Sequence, residues 1–217
     1  MHRNPVSDII DFLLQTAWTT AVFWLLVLAS IAIAVYAFRT VPGQRSLKHV
    51  SNWGFRFLIG CMWWQQSLWK LPPFYTDHPE QPFGDTGLLL DRRDGQIRRR
   101  SVAGGLRQQH RAAALLSVRV YLFAPIVYGL EVLTAVSLLL GVFVRFWGLV
   151  GALQIANLWL GLYNADGEWP WTYFFLLMIQ LTFAVHRYGR SLGLDAVAAA
   201  RSPIRSTPGR ILLAAAT

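Results

Sequence analysis

Apolar runs close to the length of a membrane span, divided by polar flanks, set the pattern of this chain. "AWTTAVFWLLVLASIAIAVYAF" (17–38) carries no charge at all. "WGFRFLIGCMWWQQSLW" (53–69) holds Arg56, Gln65 and Gln66, and "VYLFAPIVYGLEVLTAVSLLL" (120–140) holds Pro125 and Glu131. "FWGLVGALQIANLWLGLY" (146–163) contains Gln154 and Asn157, and "WTYFFLLMIQLTFAVH" (171–186) closes the series. About 20 apolar residues cross a bilayer as a helix, because backbone polar groups in hydrocarbon must pair within the segment. The pattern therefore predicts an all-α integral membrane protein with five spans.

The flanks set its orientation. The tail after the last run holds Arg187, Arg190, Arg201, Arg205 and Arg210, which places it in the cytoplasm by the positive-inside bias. Alternation then puts Arg145, Arg39, Arg45 and Lys48 inside, and the acidic "NADGE" (164–168) outside. The N-terminal segment, with Asp8 and Asp11, also falls outside and lacks the basic start of a signal peptide. The 71–117 connection falls outside although it is rich in arginine, and long loops translocate with less regard to charge. A bacterial or archaeal cytoplasmic membrane is the expected location.

Composition agrees. Of 217 residues 54% are hydrophobic and 14% charged, against roughly 25% charged in soluble domains. The net charge of +9 is accounted for by arginines flanking spans and facing anionic lipid. No RNA-binding or zinc-finger spacing is present, so nucleic acid is not an expected partner. Cys61 lies in an apolar run and is expected to be a small buried hydrophobe.

The last run stops abruptly in "HRYGRSLGLD" (186–195). Arginines there suit the headgroup region and the negative end of a helix dipole, and Gly189 is the expected C-cap. The wording "GRSLGLD" after a final membrane helix resembles the ending of the DoxX family of small membrane proteins. It is nearest the DoxD branch, the small subunit of thiosulfate:quinone oxidoreductase. "RFLIGCMWWQQSLWKL" (56–71) and "LEVLTAVSLLLGVFVR" (130–145) are similar to that family's first two core helices, in the expected order. Ser67 stands where the family has a glycine before Lys70, and the 17–38 run is an addition. The resemblance implies a four-helix membrane domain over 53–195 with a basic outer loop at 71–117. Residues 1–52 are then an added helix and cytoplasmic link, and 196–217 a cytoplasmic tail. It also implies quinone-linked chemistry, or membership of a membrane complex that handles sulfur compounds.

Polar residues within the runs are the candidates for that chemistry. An ionised side chain at a helix centre costs ~2.5–3.5 kcal/mol on insertion scales, so Glu131 needs a partner or a task. One role is a buried ion pair or hydrogen bond fixing the helices, with Arg56 able to supply the partner. The other is proton transfer beside a quinone, which takes up two protons when reduced. Gln154 and Asn157, at i and i+3, either bridge helices or donate to quinone oxygens. Arg56, Gln66 and Lys70 are further candidates for the quinone headgroup, with Trp63, Trp64, Trp69 and Phe74 as apolar walls.

No flavin fingerprint, CxxC pair or metal-ligand spacing occurs. His186 has no second histidine within a run to complete a haem site, and Asp77, His78, Glu80 and Asp85 lie in a proline-rich turn. A redox centre is therefore expected on a partner. In the outer loop, Arg98, Arg99 and Arg100 are candidates for docking an acidic extracytoplasmic redox subunit. The expected function is a membrane subunit of a quinone-linked oxidoreductase, with thiosulfate or another sulfur compound as the expected donor, binding a quinone or anchoring a redox partner. The alternative is a non-catalytic accessory subunit that assembles a larger respiratory or photosynthetic complex.

Overall fold

A computed structural model describes residues 5–14, 16–68, 124–162 and 170–201, and among these every regular element is helical. The helices are α1 (Pro5–Leu14), α2 (Trp18–Thr40), α3 (Leu47–Leu68), α4 (Ala124–Leu140), α5 (Val144–Leu162), α6 (Pro170–Val185) and α7 (Leu194–Arg201). A 3-10 turn, Tyr188–Arg190, lies between the last two. Four of the five apolar runs match α2, α4, α5 and α6 closely. The second differs, because α3 begins at Leu47, so the expected boundary between residues 52 and 53 falls inside a helix. The extra turns carry Lys48, His49 and Asn52; they are helical without being apolar, and hydrophobicity alone passes over them. The chain divides into two compact units, residues 1–65 with 131–217, and residues 66–130. Of the second, the described residues are the end of α3 and the start of α4. Trp69, Lys70, Phe74, Asp77, His78, Glu80, Asp85, Arg98, Arg99 and Arg100 lie outside the described residues.

One described helix, α2, is long and apolar enough to cross a membrane; Ala124–Leu140, Val144–Leu160 and Trp171–Val185 are shorter apolar helices. The buried stripe of α2 becomes small toward its C-terminal half, with Ser30, Ala34 and Ala37, while Leu25, Leu28 and Val35 are exposed. Small residues let backbones approach. The Ser30 hydroxyl donates to the Leu139 carbonyl at 2.6 Å and accepts from Trp53 Nε1 at 3.4 Å, tying α2 to α4 and α3.

Glycines allow the other close approaches. A Cβ on Gly60 of α3 would meet Leu138 and Leu139 of α4 at 3.0–3.2 Å. On Gly148 of α5 it would meet the Ala184 nitrogen and the Phe183 Cβ of α6 at 2.8 Å. Gly54 of α3, by contrast, has nothing within 4 Å of its missing Cβ. At the start of the bundle α1 folds back on α2, with Phe12 and Phe23 edge to face at 5.2 Å and Trp24 Nε1 donating to the Leu13 carbonyl.

Two alanine substitutions should separate packing from helix propensity. Gly148→Ala forces α5 from α6 and should destabilise by about 1–3 kcal/mol. Gly54→Ala meets no neighbour and should stabilise by about 0.5–1 kcal/mol through reduced chain entropy. Denaturant titration of each protein in mild detergent reads the two shifts, and shifts of the same sign would contradict the packing.

Candidate functional site

Several charged and polar side chains of the first unit gather around the join between α4 and α5. The α4 helix ends at Gly141, whose φ of 69° is the left-handed conformation that closes a helix. The N–H groups of Gly141 and Val142 both return to the Ser137 carbonyl, at 2.8 and 3.2 Å. Phe143 follows with φ 50°, and α5 starts at Val144. No side chain near in sequence caps that start. The cap comes from Asp195, whose carboxylate accepts from the Phe143 N–H at 3.0 Å and from the Val144 N–H at 3.4 Å, across 51 residues for the latter. In return the Asp195 N–H donates to the Gly141 carbonyl at 2.9 Å.

The stretch that delivers Asp195 is held from the other side. Gln44, in the α2–α3 link, donates from Nε2 to the Arg190 carbonyl at 3.0 Å and accepts the Leu192 N–H on Oε1 at 2.9 Å. Leu192 has φ 51° and is buried against Ala34 and Ala37 of α2. A left-handed conformation costs a residue with a side chain roughly 1–2 kcal/mol. Both described examples, Phe143 and Leu192, have their N–H taken by a distant side chain, Asp195 and Gln44. Gly189 and Gly193 make room: a Cβ on Gly189 would collide with Asp195 Oδ2 and Val144, and one on Gly193 with the Gly141 backbone.

Arg56 completes the join. It is 0% exposed, and its Nη1 donates to the carbonyls of Leu138 at 2.5 Å and Leu139 at 3.4 Å. The guanidinium thus covers the negative end of the α4 dipole, while Asp195 covers the positive end of α5. Burial pushes the Asp195 carboxyl above the usual 3.8, while the Phe143 and Val144 N–H groups and the charges of Arg56 and Arg190 hold it down. Arg145 adds a further bond, from Nε to the Ala184 carbonyl at the end of α6.

The residues singled out from sequence are distributed as follows. Glu131 is 2% exposed on α4, at the head of a buried polar stripe that continues at Thr134 and Ser137. Arg56 makes its hydrogen bonds two turns further along the same helix, at Leu138 and Leu139, where the sequence left a pairing with Glu131 open. Gln154 is partly buried, whereas Asn157 and Gln66 are exposed. The expected C-cap role of Gly189 does not hold. It has no left-handed φ, and it is glycine because Asp195 and Val144 occupy the space a side chain would need. The aspartate of "GRSLGLD" is likewise a cap for another helix.

Sequence reasoning passed over Asp195, Gln44 and Gln180. Gln180 on α6 is 1% exposed, lies against Gly151, and both polar atoms of its amide lack a hydrogen-bond partner among the described residues. A buried amide in that state costs free energy, so it is a position to ask about function. Its signal was present, a lone amide in the last apolar run, of the same kind as Gln154. None of the family models, curated proteins and solved structures compared with this chain matches it.

Gln44→Ala leaves a buried N–H and a carbonyl unmatched and frees the strained Leu192. We expect a loss of about 1–3 kcal/mol, against less than about 0.5 kcal/mol for the exposed Lys48→Ala. The pH dependence tests Asp195. Its folded carboxyl holds a proton more tightly than the unfolded one, so its contribution is fully present below 3.8 and declines as pH rises through the raised folded value. Unfolding midpoints in detergent across the acidic range should show that decline in the native protein and lack it in Asp195→Asn.

Proposed function

We propose that this chain is an integral membrane bundle of the DoxX kind, acting as the membrane subunit of a quinone-linked oxidoreductase. The distribution of surface supports membrane embedding. Leu153, Leu160, Phe175 and Val185 are exposed while Arg56, Glu131, Thr134, Ser137 and Gln180 are buried, the reverse of a protein solvated by water. The α2 helix, with 23 residues, is ~35 Å long against a hydrocarbon core of about 30 Å. The orientation in this reading has the N-terminus outside and the α4–α5 join on the cytoplasmic side of a bacterial or archaeal membrane.

The observation that carries the redox reading is Glu131, an ionisable carboxyl 2% exposed within an apolar helix, above a stripe of buried hydroxyls. Converting a quinone to a quinol takes two electrons and two protons. In this proposal a partner subunit passes the two electrons from a reduced donor such as a sulfur compound, Glu131 delivers one proton to a quinone oxygen, and water supplies the second proton and reprotonates Glu131. The Gln180 amide offers that oxygen a donor from within the bundle. The join described above is then the brace that holds α3, α4, α5 and α6 at fixed positions around these groups.

A second reading is favoured by the outer faces of α1 and α2. Val6, Ile9, Ile10 and Leu14 of α1 are all exposed, as are Trp24, Leu25 and Leu28 of α2. Such faces suit the helices of a larger respiratory or photosynthetic complex, in which the chain is an accessory subunit with no quinone of its own.

Glu131→Gln separates the two. The complex would be extracted from native membranes in mild detergent and its constant companions identified by mass spectrometry. Under the first reading the variant copurifies with the same partners and loses about 100-fold or more in quinone reduction. Full turnover with Glu131→Gln, together with loss of partner assembly when the chain is deleted, would establish the accessory reading instead.

A further inference from the structure

The outward face of α5 carries one residue that its neighbours do not explain. Asn157 is exposed and stands between Leu153 and Leu160, which are also exposed. Among the described residues nothing takes up its amide. Along Val144–Leu162 it lies ~20 Å from the first residue and ~8 Å from the last. In a membrane-spanning helix that is too deep for so short a side chain to reach the headgroups. An amide in hydrocarbon loses its hydrogen bonds to water and gains none in return unless another polar group meets it.

The surrounding positions form a seam. Phe146, Leu153, Asn157 and Leu160 are exposed and Val150 is half-buried, and the steps from Phe146 through Val150 to Leu160 are four, three, four and three residues. That is the repeat of about 3.5 residues by which two helices wind around each other, in membranes as in water. Val150 and Asn157 take its a positions, and Phe146, Leu153 and Leu160 its d positions. A β-branched residue at a with leucine at d favours two parallel strands, and a single asparagine at a fixes their register. The seam lies opposite Gly148, Ala152 and Ile155, which are buried, so the packing of the bundle itself leaves it open. By contrast α2 exposes Leu25, Leu28, Ile31 and Val35, a stripe without an amide that lipid tails satisfy.

A parallel partner must present a hydrogen-bonding group at the depth of Asn157. A second copy of this chain does so with no further requirement. Every copy inserts with the same side inward under the positive-inside bias. A two-fold axis normal to the membrane then sets two α5 helices parallel, with Asn157 facing Asn157. An amide both donates and accepts, so it complements itself across such an axis.

We infer that α5 pairs in parallel with α5 of a second copy, through the Phe146–Leu160 seam and a hydrogen bond between the two Asn157 amides. The inference rests on the membrane part of the function proposed above and not on its quinone chemistry, because hydrocarbon is what makes the amide need a partner.

The test uses the full chain in native membranes, in a Cys61→Ala background that removes its single cysteine. Leu153→Cys puts a thiol at a d position, where parallel helices come within disulfide reach. Leu25→Cys, on the α2 stripe, is the control. Copper phenanthroline should link most of the Leu153→Cys chain into a dimer of itself and little of the control. Photobleaching step counts in liposomes, as protein is diluted in lipid, read the association constant. The native chain should dimerise, Asn157→Leu about 10-fold more weakly, and Asn157→Gln should recover part of the difference. Monomers at every dilution, equal linking at the two positions, or association unchanged in Asn157→Leu would overturn the inference. Linking of Leu153→Cys to a different protein would overturn it as well. Carbonate extraction reads embedding by itself. A chain that stays embedded yet monomeric sinks the pairing and leaves the membrane reading standing, whereas release by carbonate removes both.

Discussion

The folded end of this bundle depends on two buried charges placed on opposite helix ends. Arg56 covers the last carbonyls of α4, and Asp195 covers the first N–H groups of α5. Each charge meets a helix dipole of opposite sign, and each feels the other. Burying either one by itself would be costly, since a buried charge without compensation destabilises by several kcal/mol. Together, with backbone groups as their hydrogen-bond partners, they turn an obligatory problem of helix ends into the contact that joins α3, α4, α5 and α7.

Much of the remaining detail follows from that contact. Asp195 reaches α5 only if the chain between α6 and α7 turns tightly, which requires Gly189 and Gly193 and drives Leu192 into a left-handed conformation. Gln44 takes up the groups that this turn exposes. Phe143 is left-handed for the matching reason on the other side, because it must present its N–H to the same carboxylate. Polar residues at this end are therefore spent on structure. The buried Glu131 and Gln180 lie further along their helices, and no described bond of the join requires either one. That separation underlies the proposal of a brace at one end and proton chemistry within the bundle.

The helices were legible because their signal is local: apolar runs of sufficient length, with at most one charge, identify α2, α4, α5 and α6 to within a few residues. The early turns of α3 were not, since Lys48, His49 and Asn52 break the apolar pattern while the backbone continues as helix. Arg56 and Glu131 stood out as ionisable groups in apolar surroundings, and both are buried. Where Arg56 points was beyond the sequence, because nothing in residues 53–69 indicates that its partners are carbonyls at a helix end. Asp195 was harder still. An aspartate in the first turn of α7 looks like a cap for α7, and only the fold brings it to a helix that begins 51 residues earlier.

Amide hydrogen exchange tests the join most directly. Four N–H groups define it: Phe143 and Val144 bonded to Asp195, Leu192 bonded to Gln44, and Asp195 bonded to Gly141. All lie at turns or at the first residue or two of a helix, where exchange is ordinarily fast because such groups have no intrahelical partner. In the full chain in detergent micelles the account predicts slow exchange at all four, opening as one unit with the inner turns of α4 and α5. Fast and independent exchange at these positions, with protection confined to helix interiors, would contradict it.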